Sequence, residues 1–157
     1  MGDDLVSIEI PRTIYEKAQE LGLDIEDLVA YSLIRFTNLD PDELAKARIE
    51  LAERYLNETR KYLAKGNPMQ ASEKLYKAVE ECIKALAEEY NLPKYQQALK
   101  EGRWLAYLLG RAARTLSVKL SESKFKIAWS VAYELHIWGF HEGKYGIEYV
   151  KIDLPQI

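Results

Sequence analysis

The chain has 157 residues, 48% hydrophobic and 30% charged, with a formal net charge of −3. That suffices for one domain with a small appendage and excludes a disordered chain. No apolar run approaches the roughly 18 residues of a membrane-spanning helix. Residues 1–40 carry nine acids and three bases, the remainder sixteen acids and nineteen bases. Neither part has the strongly basic body of a dedicated nucleic-acid binder. The start, Met1-Gly2-Asp3-Asp4, is acidic where a secretory signal is basic and then apolar, so a soluble cytoplasmic protein is expected. The single cysteine, Cys82, permits no internal disulfide and reads as a small core residue whose thiol pKa burial raises.

In chain order, Leu5 to Ile10 alternates, with Val6, Ile8 and Ile10 on one side and Ser7 and Glu9 on the other, which predicts a short half-buried strand. Pro11 ends it. Arg12 to Leu21 reads as a short helix bearing Ile14, Tyr15, Ala18 and Leu21, closed by Gly22 in the left-handed region. Asp24, with Asp27 at the third position, caps the next helix, whose Ile25, Leu28, Val29, Leu33 and Phe36 are expected to face inward.

After the junction Asn38 to Asp40, the Asp40 cap, Pro41 at the first helical position and Glu43 at the third form a near-complete capping box. The helix running to Lys65 has Leu44, Ala47, Leu51, Tyr55 and Tyr62 as its main stripe. Gly66-Asn67-Pro68 then supplies stop, cap and start in three residues, with Gln70 at the third helical position. Two long antiparallel helices with a minimal loop follow, each roughly 33–36 Å long at about 1.5 Å per residue.

The second of these, centred on Gln70 to Tyr90, organises the chain. Ala71, Leu75, Ala78, Cys82 and Leu86 make one apolar face, and Tyr76, Val79, Ile83, Ala87 and Tyr90 a second beside it. Only a narrow strip, Glu73, Lys77, Glu80, Lys84 and Glu88, is left for water. A helix apolar on two faces needs neighbours on both, which places it mid-bundle. Asn91-Leu92-Pro93 breaks it, and a third helix is expected from Lys94 or Tyr95 to Lys119, with Gly102 and Gly110 weakening its continuity. Ser121-Glu122-Ser123 caps the last helix, Glu122 to Phe140, with Phe125, Trp129, Tyr133, His136 and Phe140 on one face. The tail IEYVKIDLPQI reads as a strand or an extended strap. Abundant tyrosine and alternating charge suggest a thermophilic source.

The opening VSIEIPRTIYEKAQELGLDIEDLVAYSL, a strand, a helix, a Gly turn and a helix, resembles the ribbon–helix–helix family of dimeric regulators. The long-helix portion, through ASEKLYKAVEECIKALAEEYNLP and AWSVAYELHIWGFHEG, resembles the HEPN superfamily of up-and-down helical bundles. That likeness implies a dimer, with either nucleotide binding or ribonuclease activity. More narrowly, IPRTIYEKAQELGLDIEDL, the hairpin, GRW and LHIWGFHEG together are similar to the archaeal PaREP family. HEPN ribonucleases resemble one another in an Arg followed four to six residues later by His. Here the nearest arginine before His136 is Arg114, far upstream, so the resemblance implies no nuclease chemistry of that kind.

Two candidate sites follow from the residues. His136 and His141 are the usual acid–base or metal-ligating type. Five residues apart on an α-helix they diverge by roughly 140° and cannot easily share a metal or a proton. His136, among Trp129, Tyr133 and Phe140, reads as a hydrogen-bonded core or interface histidine. His141 with Glu134 and Glu142 forms a candidate weak metal or acid–base site. The second candidate is a basic stripe, Lys100, Arg103, Tyr107, Arg111 and Arg114, suited to phosphates with a base or nucleotide stacked on Tyr107. The commoner arrangement for such a stripe is a solvated face paired with acids of neighbouring helices. No Gly-rich phosphate loop, zinc spacing or nucleophile elbow appears, so no cofactor and no metal are expected.

In a ribbon–helix–helix arm Ser7 and Glu9 would face DNA from an acidic segment that repels phosphates, which argues against DNA. The ribbon's remaining use is pairing with a second copy. The expectation is an all-α, antiparallel up-and-down, HEPN-like bundle over residues 39–157. A strand–helix–helix arm over residues 1–38 precedes it, reinforcing a homodimer. Functionally it reads as a non-catalytic binding or interaction protein contacting RNA or a nucleotide through the stripe. The alternatives are a ribonuclease or metal-dependent hydrolase at His141, and a DNA-binding regulator.

Overall fold

The computed structural model describes residues 6–23 and 25–156, and the chain divides into two compact units, residues 1–39 and 40–157. In the first, helices α1 (Arg12–Glu20) and α2 (Ile25–Thr37) are joined through Gly22, whose φ of +69° is the left-handed conformation expected of it. The expected strand is not formed. Val6 to Ile10 make no ladder, and Val6 and Ile8 are 91% and 62% exposed. Leu5 lies outside the described residues, as do the Asp24 cap and the Asp27 side chain. Alternation supplies a side-chain pattern, but a strand also needs a neighbouring backbone to bond with. None of the described residues is in a strand. The inward face expected of α2 is also corrected, since Leu28, Leu33 and Phe36 are exposed and α1 buries no residue. Within this unit's described residues, two short helices alone do not make the second layer that would cover their apolar sides.

The second unit is all helical among its described residues. Helix α3 (Pro41–Ala64) begins as predicted, with the Asp40 side chain accepting from the Glu43 N–H and the Glu43 carboxylate accepting from the Asp40 N–H. Helix α4 (Pro68–Glu89) starts where Asn67 accepts from the Gln70 N–H, directly after Gly66 at φ +68°. The α3–α4 hairpin is therefore the predicted one. Asn91, at φ +47°, turns the chain into α5 (Pro93–Glu101).

The single third helix is corrected to two. Left-handed Gly102 ends α5, and α6 (Ala106–Lys119) starts anew after Arg103-Trp104-Leu105. Helix α7 (Lys124–Glu134) continues into a π-helix, Leu135–His141, rather than ending as an α-helix at Phe140. The tail is neither strand nor strap. It folds as α8 (Ile147–Asp153) followed by a short 3-10 turn, Leu154–Gln156, because Val150 and Leu154 pack on the α4 core beside Ala71, Leu75 and Leu135.

Helix α4 lies mid-bundle, against α3, α6, α7, the π-helix and α8. Tyr76, Val79 and Ile83 meet Leu109, Leu116, Trp129 and Ala132. Fully burying one such aliphatic side chain contributes roughly 1.5–3 kcal/mol. The strip expected to face water is covered, since Lys84 and Glu88 are buried and Glu73, Lys77 and Glu80 are half-buried. Arg48 on α3 closes it, with Nε 2.9 and 2.8 Å from the two Glu88 oxygens and a terminal nitrogen 3.0 Å from Glu81 Oε2. Lys84 Nζ lies 3.5 Å from the other Glu81 oxygen. Half-buried Cys82 has its thiol pKa raised by burial.

Candidate functional site

The π-helix decides the geometry of the histidines. In place of α-helical bonding the Glu142 N–H donates to the Ile137 carbonyl, five residues back, at 2.8 Å. That winding carries residue i+5 over residue i. His136 and His141, which α-helical spacing sets apart, meet with their Nε2 atoms 3.1 Å from each other and their rings nearly perpendicular. The expected divergence is corrected accordingly.

His136 itself is as expected, hydrogen-bonded and part-buried. Its Nδ1 is 2.7 Å from Glu73 Oε2 on α4, and the ring stacks on Tyr76 with centroids 4.0 Å apart. Burial, and then Glu80, which accepts the Tyr76 hydroxyl, raise the Tyr76 pKa. Glu80 is raised as well, chiefly by its own burial. With Glu73 accepting Nδ1–H, a neutral His136 keeps its Nε2 lone pair and accepts Nε2–H from His141. Glu73, His136 and His141 thus form one chain of hydrogen bonds that ends at the exposed His141 ring.

Small residues let this happen. Gly139 faces Ser72 of α4 so closely that an added Cβ would lie 2.8 Å from the Ser72 Cβ, below any ordinary contact. Only glycine lets the π-helix approach α4 to the depth where Glu73 reaches His136. The Ser72 hydroxyl in that contact is buried without a hydrogen-bond partner.

The other acids proposed beside His141 are placed differently. Glu134 accepts the Tyr145 hydroxyl at 2.7 Å, and that hydrogen bond pushes the phenol up to about 12. No hydrogen bond joins His141 to Glu134 or Glu142 among the described residues, and none of their His, Cys, Asp and Glu side chains form a group of three or more suited to a metal.

The basic stripe is split by the α5–α6 break. Lys100 lies in the last turn of α5, Arg103 in the connector, and Tyr107, Arg111 and Arg114 follow one another along α6. At helical spacing these last three share one face. All five side chains are exposed. Arg111 sits over the Tyr107 ring at 5.2 Å, the Tyr107 hydroxyl accepts from Gln97 at 3.3 Å, and Arg114 donates to the Gly110 carbonyl at 3.0 Å. Among the described residues no carboxylate pairs with Lys100, Arg103, Arg111 or Arg114. An open cleft of about 640 Å³ adjoins the face, formed by Tyr90, Asn91 and Pro93 with Arg114, Thr115 and Lys119. The reading of a surface paired with neighbouring acids does not describe this face.

The fold and these two features define an all-α protein built round a buried hairpin helix, with a π-helical histidine pair on one element and a bare cationic face on another. The chain belongs to the archaeal PaREP1/PaREP8 family, whose model matches residues 47–157. The arm and the first turns of α3 precede that match. The chain is also similar to a protein from Sulfolobus solfataricus known from its crystal structure, at 38% identity and a TM-score of 0.61 over 67% of this chain and 85% of that one. No curated protein matches. Among the described residues no helix is long and apolar enough to cross a membrane.

Proposed function

We propose that this protein is a non-catalytic binder of a phosphate-bearing ligand, a single-stranded RNA or a nucleotide, held on the α6 face by Arg111 and Arg114 with Tyr107 as the stacking surface. The observation that carries this reading is the pairing contrast. Arg48, Arg54, Lys74 and Lys84 all meet carboxylates, whereas the cations of the α6 face meet none among the described residues. Exposed, uncompensated arginines beside an aromatic ring are what phosphates and bases require. The order of helices from α3 onward supports an HEPN-type bundle, and the missing Arg–His spacing supports the absence of that superfamily's nuclease chemistry. The exposed Ile14, Leu28, Leu33 and Phe36 of the first unit support self-association into a homodimer.

Titrating a labelled mixed-sequence single-stranded RNA by fluorescence anisotropy, at low and then moderate salt, tests the reading. Salt-sensitive binding that Arg111→Ala weakens is expected. Binding indifferent to Arg111 and Arg114 would contradict it.

A second reading, hydrolysis at His141, is favoured by the Glu73–His136–His141 chain, which holds an oriented imidazole at the surface. RNA cleavage lost in His141→Ala would move the function there.

A further inference from the structure

We infer that His136 and His141 form a binding site for a divalent transition-metal ion, with Glu73 orienting the buried ligand. Two imidazole nitrogens at about 2.0–2.1 Å from one ion and 3.1 Å from each other subtend about 98°, between octahedral and tetrahedral angles. Ligand-to-ligand spacing is thus already present before any ion arrives.

The protonation pattern fits equally. Metal-ligating histidines donate their other ring N–H to a carboxylate or carbonyl, which fixes the tautomer and directs the free lone pair at the ion. His136 Nδ1 has that partner in Glu73 at 2.7 Å, with side chains only 18% and 14% exposed. Stacking on Tyr76 fixes the ring plane. His141 is exposed, so an ion can enter from solvent and water can fill the remaining positions. An ion bound by both Nε2 atoms would replace the hydrogen bond between them. Nitrogen ligands select nickel, copper, zinc or cobalt over magnesium or calcium. The site is independent of the α6 face.

The chain has only two histidines, which makes the test decisive. The full-length, untagged, metal-free protein is titrated calorimetrically with Ni²⁺ and, separately, with Mg²⁺. One equivalent of Ni²⁺ and no Mg²⁺ is expected to bind. The variant His141→Ala, altered at an exposed position, is expected to weaken Ni²⁺ binding at least tenfold while circular dichroism stays unchanged. Glu73→Gln is expected to weaken it about 10–100-fold. Cys82→Ser is expected to change nothing. Wild-type protein that binds no Ni²⁺, binding that survives His141→Ala, or binding that Cys82→Ser removes would each overturn the assignment. Arg111→Ala, outside the histidine pair, is expected to bind Ni²⁺ like the wild type, so failure of the metal site and failure of the α6 reading are read separately.

Discussion

Arg48 and Arg111 belong to the same helical bundle and live in opposite surroundings. Arg48 has a side-chain exposure of 8% and spans two carboxylates of α4, while Arg111 is exposed and touches the ring of Tyr107. Taking a guanidinium out of water is tolerated only when its hydrogen bonds are returned by fixed acceptors, and Glu81 and Glu88 return them. On α6 water meets the requirement, so no carboxylate is needed and the charge stays available to something that arrives from outside. Arginine in this protein therefore has a structural use at Arg48 and, on the proposed function, a recognition use at Arg111, told apart by burial and pairing.

The comparison breaks most visibly at Arg48. Arg48→Ala takes from buried Glu88 the guanidinium that pairs with both of its oxygens and leaves Glu81 with Lys84, and a loss of about 3–5 kcal/mol is expected in urea unfolding. A loss below about 1 kcal/mol, the range of exposed ion pairs, would show that water reaches the pair. Next comes Gly139→Ala, where the new Cβ meets Ser72 and overpacking of about 1–3 kcal/mol is expected. In the same variant the two histidines should separate, seen as a change in their NMR titration. Ser72→Ala, which removes a buried hydroxyl without a partner, should be neutral or stabilising by thermal melting.

A subtler test is Glu80. Burial raises its pKa, so the folded state holds the proton more tightly than the unfolded chain. The associated stability is present below the ordinary glutamate value of about 4.3 and is lost as pH rises through the raised folded value. Glu80→Gln should flatten that decline while keeping an acceptor for the Tyr76 hydroxyl. Smallest in stability are Arg111→Ala and Arg114→Ala, each expected within about 0.5 kcal/mol of wild type. Their effect should appear in binding instead.

Much of the fold was legible because its punctuation is local. Asp40-Pro41 with Glu43, and Gly66-Asn67-Pro68 with Gln70, carry their own hydrogen-bonding instructions, so α3, the turn and α4 follow from a few neighbouring residues. The central place of α4 followed from its two apolar faces. Long-range pairing was not legible. The Glu73–Glu88 strip has the composition of a wet face, and the approach of residues such as Arg48 and His136 from other elements leaves it buried or half-buried. The break at Gly102 was visible as a weak point but not as a full stop, because glycine marks both. The strand failed because alternation specifies faces and leaves the backbone's partner unspecified.

The histidine pair was legible as residue types and illegible as geometry. A spacing of five diverges on an α-helix and converges on a π-helix, and the change of winding goes with how Gly139 seats against Ser72, which lies on α4 far away in sequence. Gly139 inside an apolar helical pattern was the one available signal. The stripe was legible as charge on one helix, while its freedom from acids depended on which neighbours packed beside α6.

The α6 face carries the proposed function, and one measurement addresses it most directly. Single-stranded RNA affinity is followed as a function of salt for the wild type and for the Arg111→Ala/Arg114→Ala double variant, with melting temperatures taken on both. Equal melting temperatures are expected, with weaker binding in the variant and a logarithmic salt slope smaller by about 1.4, two phosphate contacts at roughly 0.7 each. Identical affinities and slopes for the two proteins would contradict it.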